Sequence, residues 1–268
     1  MLYSIIIELN TDNDILISAS NGEIMNGVFY NLLNTFDAES FEILHSENSY
    51  KPFTISPLSG NIKRVENGNK ILLNSKYPIW FRITFISNRL FIKFAEALKD
   101  NKIKNITIIN KTYPIKDIYF TKDKHLLASF STIEELLKNK YNSTYIIKFI
   151  TPTSFAIDNK IYPFPDNEIF FKSLIKKWNF FTNLFIDNNI RDEIIKNIKI
   201  GKFKIESKMY TFAKYLRIGF IGEIEYKIVS RNKILKKWFN ALCLFSFYSG
   251  VGIKTTMGMG QVSVRGIY

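Results

Sequence analysis

The chain has 268 residues, of which 46% are hydrophobic and 15% aromatic. This composition excludes a disordered chain and allows one large domain or two small ones. The net charge of +13 is typical of proteins that bind nucleic acid or an anionic membrane, and the alternative is an AT-rich genome, in which Lys, Asn and Ile are common. A single cysteine, Cys243, excludes an internal disulfide, and two histidines argue against a metal site built from Cys and His. We therefore expect neither a metal nor a cofactor.

The first half of the chain predicts one βαββαβ unit. Alternating apolar residues and runs rich in Ile and aromatics predict strands, and apolar residues at three- to four-residue spacing predict helices. The predicted strands are a half-buried one from Met1 and those over residues 53–58, 70–87, 103–109 and 113–120. The predicted helices cover 25–33, 38–45 and 88–99, the last capped by Asn88. Residues 13–23 are polar and predict a turn.

The second half repeats this order. Strands are predicted over 145–150, 202–209, 218–228 and 261–267, with a hairpin loop around 210–217, and helices over 167–185 and 232–248. The charged, less regular stretch 125–141 is the predicted linker between domains 1–124 and 142–268. We expect an α+β fold with two tandem ferredoxin-like (βαββαβ, RRM-like) domains. Neither a leader nor a membrane span is evident, so we expect a cytoplasmic protein without a membrane partner.

Residues 250–260 carry four of the twelve glycines in the pattern G-x-G-x5-G-x-G. The segment follows a predicted helix and precedes a strand, so it is neither a Rossmann fingerprint nor a P-loop. Its backbone N–H groups, with the side chains of Lys254, Thr255 and Thr256, are donors suited to phosphate. The alternative is a tight structural turn, which rarely needs four glycines.

This glycine pattern, between an amphipathic helix and the last strand of a basic chain, resembles the signature of the RAMP superfamily. The string YSGVGIKTTMGMG at 248–260 is similar to that of the CRISPR-associated endoribonucleases that process precursor CRISPR RNA. Residues 26–30, 44–45 and 50–58 are similar to the N-terminal pattern of that family, and 149–155, 164–166 and 177–179 to the start of its second half. The resemblance covers nearly the whole chain.

The resemblance implies a catalytic triad of Tyr, His and Lys, and the positions that match are Tyr30, His45 and Lys51. Imidazole is the side chain best suited to proton transfer at neutral pH, and an ammonium group can stabilise the charge of a phosphorane-like transition state. Attack by the ribose 2′-OH would give a 2′,3′-cyclic phosphate and a 5′-OH end without a metal. Which of Tyr30 and His45 is the base stays open. His125 is predicted to be solvated and Cys243 to lie in the core.

The family also implies that repeat RNA binds a basic hairpin and the glycine-rich loop. Without the resemblance, each group of lysines could equally be a solvated surface. The expected RNA-binding residues are Lys202, Lys204, Lys208 and Arg231, with Gly250, Gly252, Lys254, Thr255, Thr256, Gly258 and Gly260.

Three functions compete at this point. The first is an endoribonuclease that cuts precursor CRISPR RNA within its repeats. The second is a non-catalytic RNA-binding subunit of a CRISPR effector complex, which has no need of His45. The third is a general RNA-binding protein, for which an aromatic recognition string is missing from the sequence. CRISPR repeat RNA is the expected partner, while membership of an effector complex and pairing into a homodimer stay open.

Overall fold

The structure of the protein is a computed structural model that describes residues 1–46, 50–65, 68–138, 142–158 and 160–267. These residues form two compact units. The N-terminal unit holds Leu2–Phe130 together with Thr256–Gly258. The C-terminal unit holds Ser131–Thr255, residues 259–267 and Met1.

The N-terminal unit is built on an antiparallel sheet in the order β3-β6-β1-β8-β7, with β9 paired to β1. Its strands are β1 (Leu2–Leu9), β2 (Ile15–Ser18), β3 (Phe53–Ile55), β4 (Ile62–Val65), β5 (Lys70–Leu73), β6 (Ile79–Phe85), β7 (Asn105–Ile108), β8 (Lys111–Tyr119) and β9 (Ser129–Ser131). Its helices are α1 (Gly22–Phe36), α2 (Ala38–Ser46) and α3 (Asn88–Lys99). Elements β1, α1, β3, β6, α3 and β8 give the predicted βαββαβ order, while β2, β5 and β4 form a separate small sheet.

Strand β1 lies between β6 and β8 and is buried on both faces, so the prediction of a half-buried strand is wrong. Its apolar side chains pack into the core, and Ser4 and Glu8 are buried on the opposite face. The buried Arg82 on β6 donates from Nε to Ser4 Oγ at 2.7 Å. Polar side chains on this strand are therefore buried because they have partners across the sheet.

Two further predictions in this unit need correction. The stretch 13–23, predicted as a turn, contains β2 and the start of α1. The N-cap of α3 is Ser87 instead of Asn88, since the Ser87 side chain accepts from the backbone N–H of Leu90. The extended backbone of Ser87 also meets the geometry of an N-cap, whereas Asn88 is already helical.

The C-terminal unit repeats the ferredoxin-like order on a four-stranded antiparallel sheet, β13-β14-β10-β15. Its strands are β10 (Thr144–Thr153), β11 (Phe155–Ile157), β12 (Lys160–Tyr162), β13 (Ile198–Thr211), β14 (Leu216–Ile228) and β15 (Val262–Ile267). Its helices are α4 (Ile133–Lys138), α5 (Asn167–Phe181), α6 (Asn188–Lys196) and α7 (Lys233–Ser249). Phe170 on α5 stacks on Tyr226 of β14 with ring centroids 4.7 Å apart, which joins helix and sheet in one core. The strand orders confirm the predicted α+β class with ferredoxin-like halves.

Helix α5 ends four residues earlier than predicted because the chain folds back on it. Trp178 Nε1 donates to Leu184 O at 2.7 Å, and the Asn179 side chain bonds both backbone groups of Ile186. The stretch 125–141, predicted as a linker, contains β9 and α4 within its described residues. In the part of the chain that the structure describes, every helix is too short or too polar to cross a membrane.

The β13–β14 hairpin is longer than predicted, with only residues 212–215 between its strands. Phe203 and Met209 on β13 are apolar, yet they are 65% and 63% exposed. The distal part of this hairpin therefore has apolar side chains in solvent.

Candidate functional site

Tyr30, His45 and Lys51 come together at the C-terminal end of α2. Tyr30 lies on α1, His45 in the last turn of α2, and Lys51 just before β3. The Tyr30 hydroxyl donates to the backbone carbonyl of Leu44 at 3.2 Å, and the ammonium of Lys51 donates to the same oxygen. The imidazole of His45 meets the Tyr30 ring edge-on, with centroids 5.7 Å apart. The three residues named from the sequence are therefore neighbours.

The end of a helix explains why two donors share one oxygen. Leu44 O is among the last four carbonyls of α2, which have no partner N–H within the helix. Aromatic side chains hold the donors in place: Phe41 stacks on His45 at 5.6 Å, and Phe53 meets the Tyr30 ring edge-on at 5.9 Å. The scaffold is apolar and the donors are at its edge.

Burial differs within the group. His45 is exposed, whereas Tyr30 and Lys51 are half-buried. Burial raises the pKa of Tyr30 above its ordinary value, so its hydroxyl keeps its proton at neutral pH and can donate. Residues 47–49, which follow this helix in the sequence, lie outside the described residues.

The second histidine is packed, so its prediction as a solvated residue is wrong. The His125 ring lies 4.6 Å from Trp80 and 6.3 Å from Tyr119, and its Nδ1 accepts the backbone N–H of Leu127 at 3.1 Å. Burial lowers the pKa of His125, and the positive charge of Arg82 lowers it further. The carboxylate of Glu8 has a smaller effect in the opposite direction. Cys243 is buried in α7, as predicted.

All four glycines of the glycine-rich loop have a positive φ: 62° at Gly250, 75° at Gly252, 86° at Gly258 and 67° at Gly260. A Cβ at Gly260 would lie 1.9 Å from Val251 O. Backbone geometry alone thus accounts for the glycines, so the sequence argument that a structural turn rarely needs four is wrong here. The glycine content no longer points to a ligand by itself.

The loop is fixed to the end of β10, to Ser154 just after that strand, and to itself. Ile253 N donates to Ser154 O at 3.0 Å, Gly260 N to Pro152 O at 3.1 Å, and Val251 N to Gly260 O at 2.9 Å. The loop contains a short 3-10 turn over Thr255–Met257. Lys254 is exposed and Thr255 and Thr256 are half-buried, so donors are available on its outer side.

The hairpin face that was predicted to be basic differs from one lysine to the next in exposure and in neighbouring charge. Lys202 and Lys204 are exposed and Lys208 is half-buried. Lys202 lies in a β-bulge, since the register shifts between residues 200 and 203. Lys204 lies opposite Glu223 in the strand register, and Glu223 forms an ion pair with Lys148 at 3.7 Å. Arg231 is exposed before the Asn232 cap of α7.

Sequence reasoning missed Tyr215, which joins the tip of the hairpin to the glycine-rich loop. Arg217 lies over its ring at 4.4 Å from the centroid, and the ammonium of Lys254 lies 5.9 Å from it. A cation over an aromatic face is a favourable arrangement. The 39-residue separation between Tyr215 and Lys254 leaves no local signal of this contact.

Two family models match the chain. "CRISPR Cas6 N-terminal domain" covers residues 1–105, and "CRISPR-associated endoribonuclease Cas6" covers residues 147–262. A CRISPR-associated endoribonuclease Cas6 of Streptococcus thermophilus is 28% identical over 134 residues, which are 49% of this chain and 55% of that protein. The matched part thus spans about half the length of this curated relative.

Solved structures show the same fold along the whole chain. Thermus thermophilus Cas6 superposes with a TM-score of 0.76 at 24% identity, covering 99% of this chain and 98% of that one. A Cas6 product complex superposes with a TM-score of 0.81 at 22% identity, covering 99% of this chain and 100% of that one.

Proposed function

The chain belongs to the Cas6 family of CRISPR-associated endoribonucleases, and on this premise we propose that it cuts precursor CRISPR RNA within its repeats. The reaction is metal-independent and uses the ribose 2′-OH as nucleophile. The observation that carries the proposal is the meeting of Tyr30 and Lys51 on one oxygen beside His45. The enzyme acts in the cytoplasm, where precursor transcripts are made.

The reaction needs two proton transfers and positive charge at the phosphate. The 2′-oxygen attacks the adjacent phosphorus while its proton passes to a base, and the bond from phosphorus to the 5′-oxygen breaks. A second proton, given up by a protonated side chain or by water, reaches the departing 5′-oxygen. The products are a 2′,3′-cyclic phosphate and a 5′-OH end.

The three side chains cover these requirements. His45 is exposed and carries an imidazole, so it exchanges a proton with the RNA. Tyr30 remains protonated because burial raises its pKa, which favours a donor role that orients the 2′-OH or the phosphate. Lys51 supplies positive charge to the phosphate. Both donors meet on Leu44 O in the free protein, and a phosphate oxygen can take the place of that carbonyl.

RNA binding is assigned to the loop and the hairpin. Lys254 and the half-buried Thr255 and Thr256 offer donors on the outer side of the glycine-rich loop. Lys202, Lys204, Lys208 and Arg231 add positive charge at accessible positions. Charge of this kind positions RNA through its phosphates and gives little sequence selectivity.

The test is single-turnover cleavage of an end-labelled repeat RNA from the host's own array in excess EDTA. We expect one cut, no cut when the nucleotide at the cleavage site is 2′-deoxy, and a rate about 10²–10⁴-fold lower in His45→Ala. His125→Ala is the matched control, because it removes the only other histidine of the chain. We expect it to keep the wild-type rate.

Three outcomes would contradict the proposal: loss of cleavage in EDTA, cleavage of the 2′-deoxy substrate, or equal rates for wild type and His45→Ala. Binding without any cut would favour the second candidate, an RNA-binding subunit of an effector complex. Sedimentation of the protein with and without RNA tests whether it pairs into a homodimer.

A further inference from the structure

Lys177 is a buried lysine beneath the start of the glycine-rich loop. It lies on α5, inside the C-terminal unit, and only 5% of its surface is exposed. Its ammonium donates to Ser249 O and to Gly250 O, both at 3.1 Å. These are the carbonyls of the last residue of α7 and of the first glycine of the loop.

Ser249 O needs a donor from outside the helix, while Gly250 O accepts both from Lys177 and from the Ser249 hydroxyl at 3.0 Å. The last four carbonyls of a helix have no N–H partner within it, and the aligned peptide dipoles leave that end partly negative. At Gly250 the chain turns to a φ of 62° and a ψ of 170°, which ends the helical pattern. A lysine at this point therefore satisfies hydrogen bonds, and its protonated form also opposes the dipole.

Burying an ammonium group costs free energy, and this cost lowers the pKa of the group because it disfavours the charged form. Burial lowers the pKa of Lys177 to about 7. An apolar side chain of the same length would avoid the cost but would leave Ser249 O and Gly250 O without this donor. The benefit of the lysine is thus local to the junction of α7 and the loop.

We propose that Lys177 is a positioning residue that fixes the start of the glycine-rich loop and thereby sets its affinity for RNA. The inference rests on the proposed function, because it assumes that the loop binds the repeat. Hydrogen bonds to Ser154 and Pro152 hold the loop against β10, and Lys177 holds the other end of the same segment from α5. With both ends fixed, Lys254 and its neighbours are presented in one conformation.

The test compares Lys177→Met with Lys176→Met by three readouts: amide hydrogen exchange, Kd for repeat RNA and the single-turnover cleavage rate. Lys176 precedes it on the same helix and is exposed, so its replacement removes the same charge without touching the loop. In Lys177→Met we expect faster amide hydrogen exchange over residues 250–260 and a Kd for repeat RNA about ten- to a hundredfold weaker. The single-turnover rate at saturating RNA stays at the wild-type value, and Lys176→Met matches wild type in all three.

Wild-type exchange and Kd in Lys177→Met would overturn the proposal. So would faster exchange spread over the whole C-terminal unit, which marks a merely structural lysine, or faster loop exchange with an unchanged Kd. If Lys177→Met does not fold, the same measurements of loop exchange and Kd are made on Lys177→Arg. Wild-type loop exchange and Kd support the proposal, and a weakened Kd with unchanged loop exchange contradicts it. A wild-type protein that neither binds nor cuts the repeat defeats the proposed function instead, while the exchange comparison still tests the loop.

Discussion

Two lysines in this chain donate to carbonyls at the C-terminal end of a helix, yet their surroundings give them different uses. Lys51 bonds Leu44 O at the end of α2, and Lys177 bonds Ser249 O and Gly250 O at the end of α7. The first is half-buried beside the exposed His45, whereas the second is 5% exposed. A cation with access to solvent can leave its carbonyl for a phosphate, and one enclosed by side chains cannot.

The comparison separates two tasks that both use positive charge. The group around Lys51 contains an imidazole and a phenol, so it has the side chains for proton transfer. The hydrogen-bond partners of the Lys177 ammonium are two backbone carbonyls, which offer no group for chemistry but define a loop conformation. Local hydrogen bonding is alike in the two regions, and solvent access decides the role.

The largest change that we expect is in the cleavage rate of Lys51→Met, which tests the catalytic side of this comparison. Removing a donor to the transition-state charge costs about 10²–10³-fold in rate, so the single-turnover cleavage rate should fall by about that factor with little change in Kd. Lys63→Met, at an exposed position of β4, is the matched control and should cleave like wild type. A loss of RNA affinity without loss of rate would show that Lys51 only binds.

The next effect concerns pH. A lysine normally titrates near 10.4, so a folded-state pKa of about 7 means that the unfolded chain binds more protons between these two values. The free energy of unfolding therefore gains from Lys177 as the pH rises above about 7, by at most ~1.4 kcal/mol per pH unit. Between about pH 7 and 8.5 the gain is about 2 kcal/mol or less in wild type, and it is absent in Lys177→Met.

Urea unfolding of both proteins at several pH values measures this difference. The buried thiol of Cys243 and phenol of Tyr226 have raised pKa values and weaken the fold at higher pH, but they do so in both proteins and cancel in the comparison. Parallel pH profiles for wild type and Lys177→Met would contradict a buried, titrating ammonium.

The smallest effect is expected at the hairpin. If Lys204 and Lys208 each neutralise one phosphate, the double Met variant lowers the magnitude of the log–log salt slope of RNA binding by about 1.4, at about 0.7 per phosphate. A double variant of the exposed Lys63 and Lys76 controls for net charge. An unchanged slope would remove the hairpin face from the RNA path, in line with the acidic Glu223 opposite Lys204 in the strand register.

Hydrophobic periodicity was enough to predict the two ferredoxin-like halves, because the order of strands and amphipathic helices is local information. It failed where burial depends on distant partners. The polar side chains of β1 suggested an exposed face, but Ser4 is buried because Arg82 donates to it from another strand. Conversely, Phe203 is apolar and yet exposed, since the hairpin extends beyond the part of the sheet that the core covers.

The grouping of Tyr30, His45 and Lys51 could be predicted only through the family resemblance, since each residue alone is unremarkable. Lys177 had a weak signal of its own: it follows Leu174 by three positions and Phe170 by seven, which places it beside the buried stripe of α5. Nothing in the sequence names its partners, because Ser249 and Gly250 lie more than seventy positions away and offer only backbone atoms.

The most direct measurement is a side-by-side determination of Kd and of the saturating single-turnover rate on one repeat RNA for Lys51→Met and Lys177→Met. We expect Lys51→Met to lose rate and keep its Kd, and Lys177→Met to lose affinity and keep its rate. The same change in both variants, or the opposite division, would contradict the separation of a catalytic lysine from a positioning one.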